Sequence, residues 1–181
     1  MRPAKVADEA VADALVSAFR RGGYAGAAIS DLCEATGLKS ASLYHRFPRG
    51  KADMALAALA RVGAGFEEAV VAPLEAAGDP AARLAKSAAG LRRFYAGGRL
   101  GCLLAAFAAS EAPEPVREEV AAALARWRDA LAALLAEAGS GAPGNEAEDR
   151  IAAVQGALVL ARGTGSTAAF RRAVSRMEKI P

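Results

Sequence analysis

The chain has 181 residues, a formal charge of +3 from 23 Lys/Arg against 20 Asp/Glu, and 54% hydrophobic but only 6% aromatic residues. Its alanine-rich composition, poor in β-branched residues, favours an all-α fold of one domain or two small ones over any sheet. No charge-free apolar run reaches the roughly 18 residues of a membrane span, so no membrane association is expected.

A first helix is expected over 4–21, where Val6, Ala10, Val11, Ala14, Leu15, Ala18 and Phe19 form one stripe. Gly22-Gly23 ends it. A second helix over 28–35 presents Ile29, Leu32 and Cys33. Gly37 makes the turn into a third over 39–46, which Pro48 stops. A long helix over 51–76 has the continuity of a connector between a head and a body. Gly78-Asp79-Pro80 breaks the chain before a helix over 80–96, closed by Gly97-Gly98. Leu100–Ser110 reads as a short buried helix. Pro113 and Pro115 open an amphipathic helix ending near Ala138, and Gly139–Asn145 is the stretch expected to be most disordered. Helices over 146–162 and 166–178 bring the total to about nine, with no period-2 strand.

The charge is unevenly spread. Residues 1–60 hold eight Lys/Arg against six Asp/Glu, 61–163 hold eleven against thirteen, and 164–181 hold four against one. A polyanion is therefore expected to approach an end of the chain rather than its middle. The opening Met-Arg-Pro-Ala-Lys carries early charge and no apolar stretch, unlike a secretory signal, and Cys33 and Cys102 have no paired spacing. Both thiols are expected to be reduced and buried in a cytoplasmic protein.

The segment 28–51 reads as two short helices joined by a glycine turn, the build of a helix-turn-helix reader of the DNA major groove. Phe19, Ile29, Leu32, Leu43 and Phe47 supply its small core. Ser40, Ala41 and Ser42 are small enough to enter a groove at the start of the third helix. Tyr44 and Ser42 reach phosphates, His45 and Arg46 donate to base edges or phosphate, and Lys51 holds a phosphate at the start of the next helix. The plainer alternative is that Tyr44 and Phe47 are core aromatics and the charges a solvated face.

Tyr24-Ala25-Gly26, Ile29-Ser30-Asp31-Leu32, Thr36-Gly37-Leu38, Ser42-Leu43-Tyr44-His45-Arg46-Phe47 and Lys51 stand in an order and spacing that resembles the N-terminal domain of the tetracycline-repressor (TetR) family, over about residues 5–55. Lys39 departs from the small N-capping residue common in that family. Either Ser40 caps the helix or Lys39 contacts a phosphate. Gly101-Cys102-Leu103-Leu104, Phe107-Ala-Ala-Ser-Glu111 and Ala125-Arg126-Trp127 resemble the C-terminal domain of the LmrA/YxaF-like branch, over about 80–135. The resemblance implies a homodimeric, ligand-responsive transcriptional regulator, a repressor released from a palindromic duplex operator by a small, largely apolar effector. It also implies a DNA-binding domain over 1–50 and a ligand-binding and dimerisation domain over 51–181. A transcriptional activator, or a DNA-binding protein whose Ser110–Pro115 loop meets a protein partner, is the alternative.

In the body, Phe94, Tyr95, Leu103, Leu104, Phe107 and Trp127 are candidates to line an apolar cavity, with Gln155 or Arg162 as polar handles. Alanines beside Trp127 leave room for a ligand. Ordinary core packing is the competing reading of each. Cys102 is a wall residue or a redox sensor, with no basic neighbour in sequence to activate it. Ile151, Val154, Ala157, Leu158 and Ala161, then Ala168, Ala169, Phe170 and Val174, are expected to give the last two helices the small and apolar stripes of a dimer interface. No enzyme is expected. The single histidine lies in the helix-turn-helix, no cluster has metal-ligand spacing, no cofactor motif is present, and Glu67-Glu68 and Glu118-Glu119 read as solvated faces.

Overall fold

The computed structural model describes residues 7–180. Residues 4–6 of the expected first helix, Val6 among them, lie outside that range. The described elements are all helical: α1 (Asp8–Gly26), α2 (Ile29–Thr36), α3 (Ser40–Arg46), α4 (Lys51–Phe66), a π-helical turn (Glu67–Val71), α5 (Ala72–Glu75), α6 (Pro80–Phe94), a 3-10 turn (Ala96–Gly98), α7 (Leu103–Ala108), α8 (Glu114–Glu137), α9 (Pro143–Thr164) and α10 (Ala168–Met177). Phe66, Val71 and Ala72 all keep right-handed helical dihedrals, so α4, the π turn and α5 form one rod where a single helix over 51–76 is expected.

Two compact units emerge. The first, the head, comprises residues up to Gly63 together with Leu103–Ala121; the second, the body, comprises Ala64–Cys102 and Ala122 onward. The units are not contiguous in sequence, so compactness groups the chain differently from a division at residue 50.

In the head, α1 packs on α2 and α7, and α2 on α3. Val11, Leu15 and Phe19 of α1, Leu32 of α2 and Leu43 of α3 are buried. Ile29 and Phe47, expected in the same core, are half-buried at its edge. Asp31 accepts a hydrogen bond from the Ala28 N–H at 3.0 Å and so satisfies one of the free donors at the start of α2. Gly37 ends α2 in the left-handed region (φ 67°), as its place between two helices requires. Gly23 also has positive φ (65°) inside α1, and this kink turns the last residues of α1 toward α7. There the Tyr24 N–H donates to Ser110 Oγ at 3.2 Å, and Phe107 meets the Phe19 ring edge-on at 5.2 Å.

In the body, α6 packs on the π turn and α5, and α10 packs on α9 and α6. Asp79 caps α6 by accepting the Ala82 N–H at 2.9 Å. Arg83 ties the end of α5 to α8, donating to the Leu74 carbonyl at 3.1 Å and to Glu137 at 2.7 Å. Arg150 of α9 caps the other end of the fold by donating to the carbonyls of Met177 (2.9 Å) and Lys179 (2.7 Å) beyond α10. The loop before α9 is shorter than the expected 139–145. Pro143 opens the helix and Ser140 donates to Glu146 at 2.8 Å.

Candidate DNA-reading helix and effector core

On α3 the apolar and polar faces separate cleanly. Leu43 is fully buried, whereas Lys39, Ser40, Ala41, Ser42, Tyr44 and His45 are exposed. Lys39 occupies the N-cap position and makes no side-chain capping bond. Ser40 is therefore the first helical residue, not the cap, and its hydroxyl is placed on the leading edge with Ala41 and Ser42. Tyr44 is 46% exposed and lies over Gly50, where an added Cβ would sit 3.2 Å from its ring. Gly50 has φ 69° and starts the turn into α4.

Two of the expected DNA contacts are held elsewhere. Arg46 Nη1 stands 3.4 Å from the Asp8 carboxylate, which pins the end of α3 to the start of α1. Lys51 is half-buried: its ammonium donates to the Ala25 carbonyl at 3.3 Å and lies 4.8 Å from the Tyr24 ring centre. Burial pushes its pKa down, with the nearby Asp31 carboxylate acting in the opposite direction. Spacing alone gave no hint of either contact, because both partners come from α1 and its end.

The expected effector residues divide between the units. Phe107, Leu103 and Leu104 lie in the head, and Phe107 is part of its core rather than of any body pocket. Phe94, Tyr95, Trp127, Gln155 and Arg162 lie in the body. There an aromatic chain runs from Trp127 to Phe66 (5.0 Å), Phe94 (5.1 Å), Tyr95 (5.0 Å) and Phe170 (6.0 Å), each contact edge-to-face. Phe66 and Phe170 were not among the sequence candidates, though Phe170 was placed in the last helical stripe. Arg162 is exposed.

Three polar side chains in this unit have buried atoms with no hydrogen-bond partner: the Trp127 indole N–H, the Ser87 hydroxyl and the Gln155 amide. Ser87 is wholly inaccessible and Trp127 is 1% exposed. A buried unmade hydrogen bond costs about 1–3 kcal/mol, and nothing in the periodicity of α6 pointed to Ser87. Cys102 is buried and accepts the Tyr95 hydroxyl at 3.4 Å. Cys33 is only half-buried, because α2 packs on one side alone.

Of the stripes expected to form a dimer interface, Val154, Ala157, Leu158, Ala161, Phe170 and Val174 are buried within the subunit. The outward face of α9 is a different one, carrying Ala152, Gly156, Val159, Leu160 and Gly163, with Val159 65% and Leu160 55% exposed. The outward face of α10 is cationic, with Arg171, Arg172 and Arg176. Helix α9 has two apolar faces, and the periodicity of one of them hid the other. No described helix is long and apolar enough to cross a membrane.

Residues 11–58 match the profile of bacterial regulatory proteins of the TetR family, and residues 73–176 match that of the LmrA/YxaF-like transcriptional-regulator C-terminal domain. Solved structures share the fold. A TetR-family regulator from Agrobacterium tumefaciens is 26% identical with a TM-score of 0.79, the alignment covering 95% of this chain and 97% of that one. A Legionella pneumophila TetR regulator is 18% identical with a TM-score of 0.83 and 98% coverage of both chains. The reduced form of Escherichia coli NemR is 21% identical with a TM-score of 0.74, covering 94% of this chain and 96% of that one. No match was found among curated protein sequences. With the head profile on the helix-turn-helix and the second profile spanning most of the remaining chain, the protein belongs to the TetR family of transcriptional regulators, with an LmrA/YxaF-like C-terminal domain.

Proposed function

We propose that the protein is a cytoplasmic, non-enzymatic repressor that binds a palindromic operator as a homodimer and is released by a small, largely apolar effector. The observation that carries the DNA-binding half is the division of α3: Leu43 is fully buried while Ser40, Ala41, Ser42, Tyr44 and His45 all face outward. Ser40, Ala41, Ser42 and His45 supply base-edge contacts, and Tyr44 and Lys39 supply phosphate contacts. Lys51 joins them by exchanging the Ala25 carbonyl for a phosphate oxygen. Arg46 acts by orienting α3 through Asp8.

The effector reading is supported by the unpartnered Trp127, Ser87 and Gln155 atoms beside Phe66, Phe94 and Tyr95. An apolar ligand bearing a hydrogen-bonding group would satisfy them, and none of them is a charge that would demand an ion. The dimer reading is supported by the exposed Val159 and Leu160 on a face otherwise lined by Ala152, Gly156 and Gly163, which lets a second copy of α9 approach closely.

Selection of bound duplexes from a random pool, followed by titration at several salt concentrations, tests the whole. The expected result is a palindromic winner with a steep salt slope, reduced by about one in Lys51→Ala. His45→Ala is expected to relax discrimination at one position by about 1–3 kcal/mol. A duplex preference without symmetry, or a Lys51→Ala protein with an unchanged slope, would remove the corresponding part of the reading. Val159→Glu/Leu160→Glu is expected to give a monomer in sedimentation.

A further inference from the structure

Pro73 lies inside the helical rod that starts at Lys51. In an α-helix the N–H of residue 73 would bond the carbonyl of Ala69. Proline has no N–H, and its ring collides with that carbonyl. The chain answers with the π turn at Glu67–Val71, where the Ala72 N–H reaches back five residues to the Glu67 carbonyl. The Ala69 carbonyl is received by α6 at a residue without a side chain: a Cβ on Gly90 would stand 1.7 Å from that oxygen. Arg126 of α8 spans the turn, donating to Glu67 at its first residue and to Glu75 beyond its last, both at 2.7 Å. The next residue, Trp127, packs on Phe66, which immediately precedes the turn.

We propose that this π turn is the regulatory joint of the protein, coupling the state of the Phe66–Phe94–Trp127 cluster to the DNA-contacting end of α4. The proposal rests on the repressor reading above. A helix containing Pro73 has two ways to accommodate it, a π turn or a kinked α-turn. Exchanging one for the other shifts the register by one residue, about 100° of rotation and 1.5 Å along the axis for everything N-terminal in the same rod. The Gly90 notch and the Arg126 span fit the π form. A ligand that displaces Phe66 from Trp127 favours the other form, and the register change runs along α4 toward Lys51.

Trp127 is the only tryptophan, so its emission reports on the joint. Coupling is reciprocal, and operator binding must therefore act back on Trp127. The probe is the selected operator duplex, titrated into the full-length protein. The expected result is an emission change with the same midpoint as DNA binding. In Pro73→Ala, which lets the Ala69 carbonyl rejoin a plain α-ladder, that change disappears and the operator Kd moves by about tenfold. Arg126→Gln weakens the emission change, whereas Arg92→Gln, which breaks a pair with Glu178, leaves emission and affinity as they were. Silent Trp127 emission on saturation with operator, or a change that survives in both Pro73→Ala and Arg126→Gln, overturns the proposal. If either variant unfolds, amide exchange over 67–76 in the unaltered protein decides: a difference between free and operator-bound protein supports the joint, and identical exchange rejects it. Failure to enrich any specific duplex sinks the repressor reading and the joint together, whereas specific binding with an unresponsive joint sinks the joint alone.

Discussion

The aromatic cluster of the head, Phe19, Tyr24 and Phe107, and that of the body, running from Trp127 to Phe170, differ in what surrounds them. In the head the polar groups beside the rings are engaged. The Tyr24 N–H bonds Ser110, the Ser110 hydroxyl bonds the Ala106 carbonyl, and the Lys51 ammonium lies over the Tyr24 ring. In the body the Trp127 indole N–H and the Ser87 hydroxyl are enclosed without partners. Rings of the same kind thus serve two ends. The head cluster locks α7 against α1 in one arrangement, while the body cluster retains hydrogen-bonding capacity that a ligand or a rearranged helix would use.

The largest effect should come from the head. Phe107→Ala leaves a cavity between α1 and α7 and is expected to lower stability by about 3–5 kcal/mol in urea denaturation. Phe94→Ala, at a half-buried ring, should cost distinctly less; equal losses would erase the contrast between the clusters. Gly90→Ala comes next, at about 3 kcal/mol, because the new methyl meets the Ala69 backbone oxygen rather than a movable side chain. A small loss there would mean that the π turn is soft.

Ser87→Ala should be neutral or stabilising by up to about 1 kcal/mol, since it deletes a buried hydroxyl with no partner to lose. A clear destabilisation would show that the hydroxyl is satisfied and would weaken the contrast from the other side. The smallest effect belongs to Glu75. Its hydrogen bonds from Arg126 hold its carboxyl below the usual carboxylate range against a slight opposing push from burial. A depressed folded pKa adds stability above the unfolded value that is lost as pH falls through the folded one. Glu75→Gln should therefore cost well under about 1 kcal/mol near neutral pH, because the pair is exposed and screened. The difference from the unaltered protein should vanish in acid. A constant difference across the titration would assign the effect to packing instead.

Most of the α3 site was legible in the sequence. The glycine at 37, the small residues at 40–42 and the apolar Leu43 set a short helix with one outward face, and local spacing suffices to predict that. The partners of Arg46 and Lys51 were not legible, because Asp8 and the Ala25 carbonyl lie far from them along the chain. The Lys39 question resolved in favour of Lys39 at the N-cap position because the backbone of residue 39, not its side chain, decides where the helix begins. In the body, Trp127 and Tyr95 were legible as large core residues. The assignment of Phe107 to the head was not, since a six-residue helix carries too little periodicity to say which neighbour it faces.

The sequence by itself determined the helices, their punctuation by glycine and proline, and the family, because these depend on backbone propensity and on short-range spacing. It even contained the cause of the π turn in Pro73, whose missing N–H acts within one turn of its own position. Only the tertiary structure decided which of the two apolar faces of α9 is spent inside the subunit, which polar atoms are enclosed without partners, and that Gly90 of one helix receives the carbonyl Pro73 displaces in another. Those outcomes depend on the approach of segments distant in the chain, and burial and hydrogen-bond satisfaction are properties of that approach rather than of any residue's own preference.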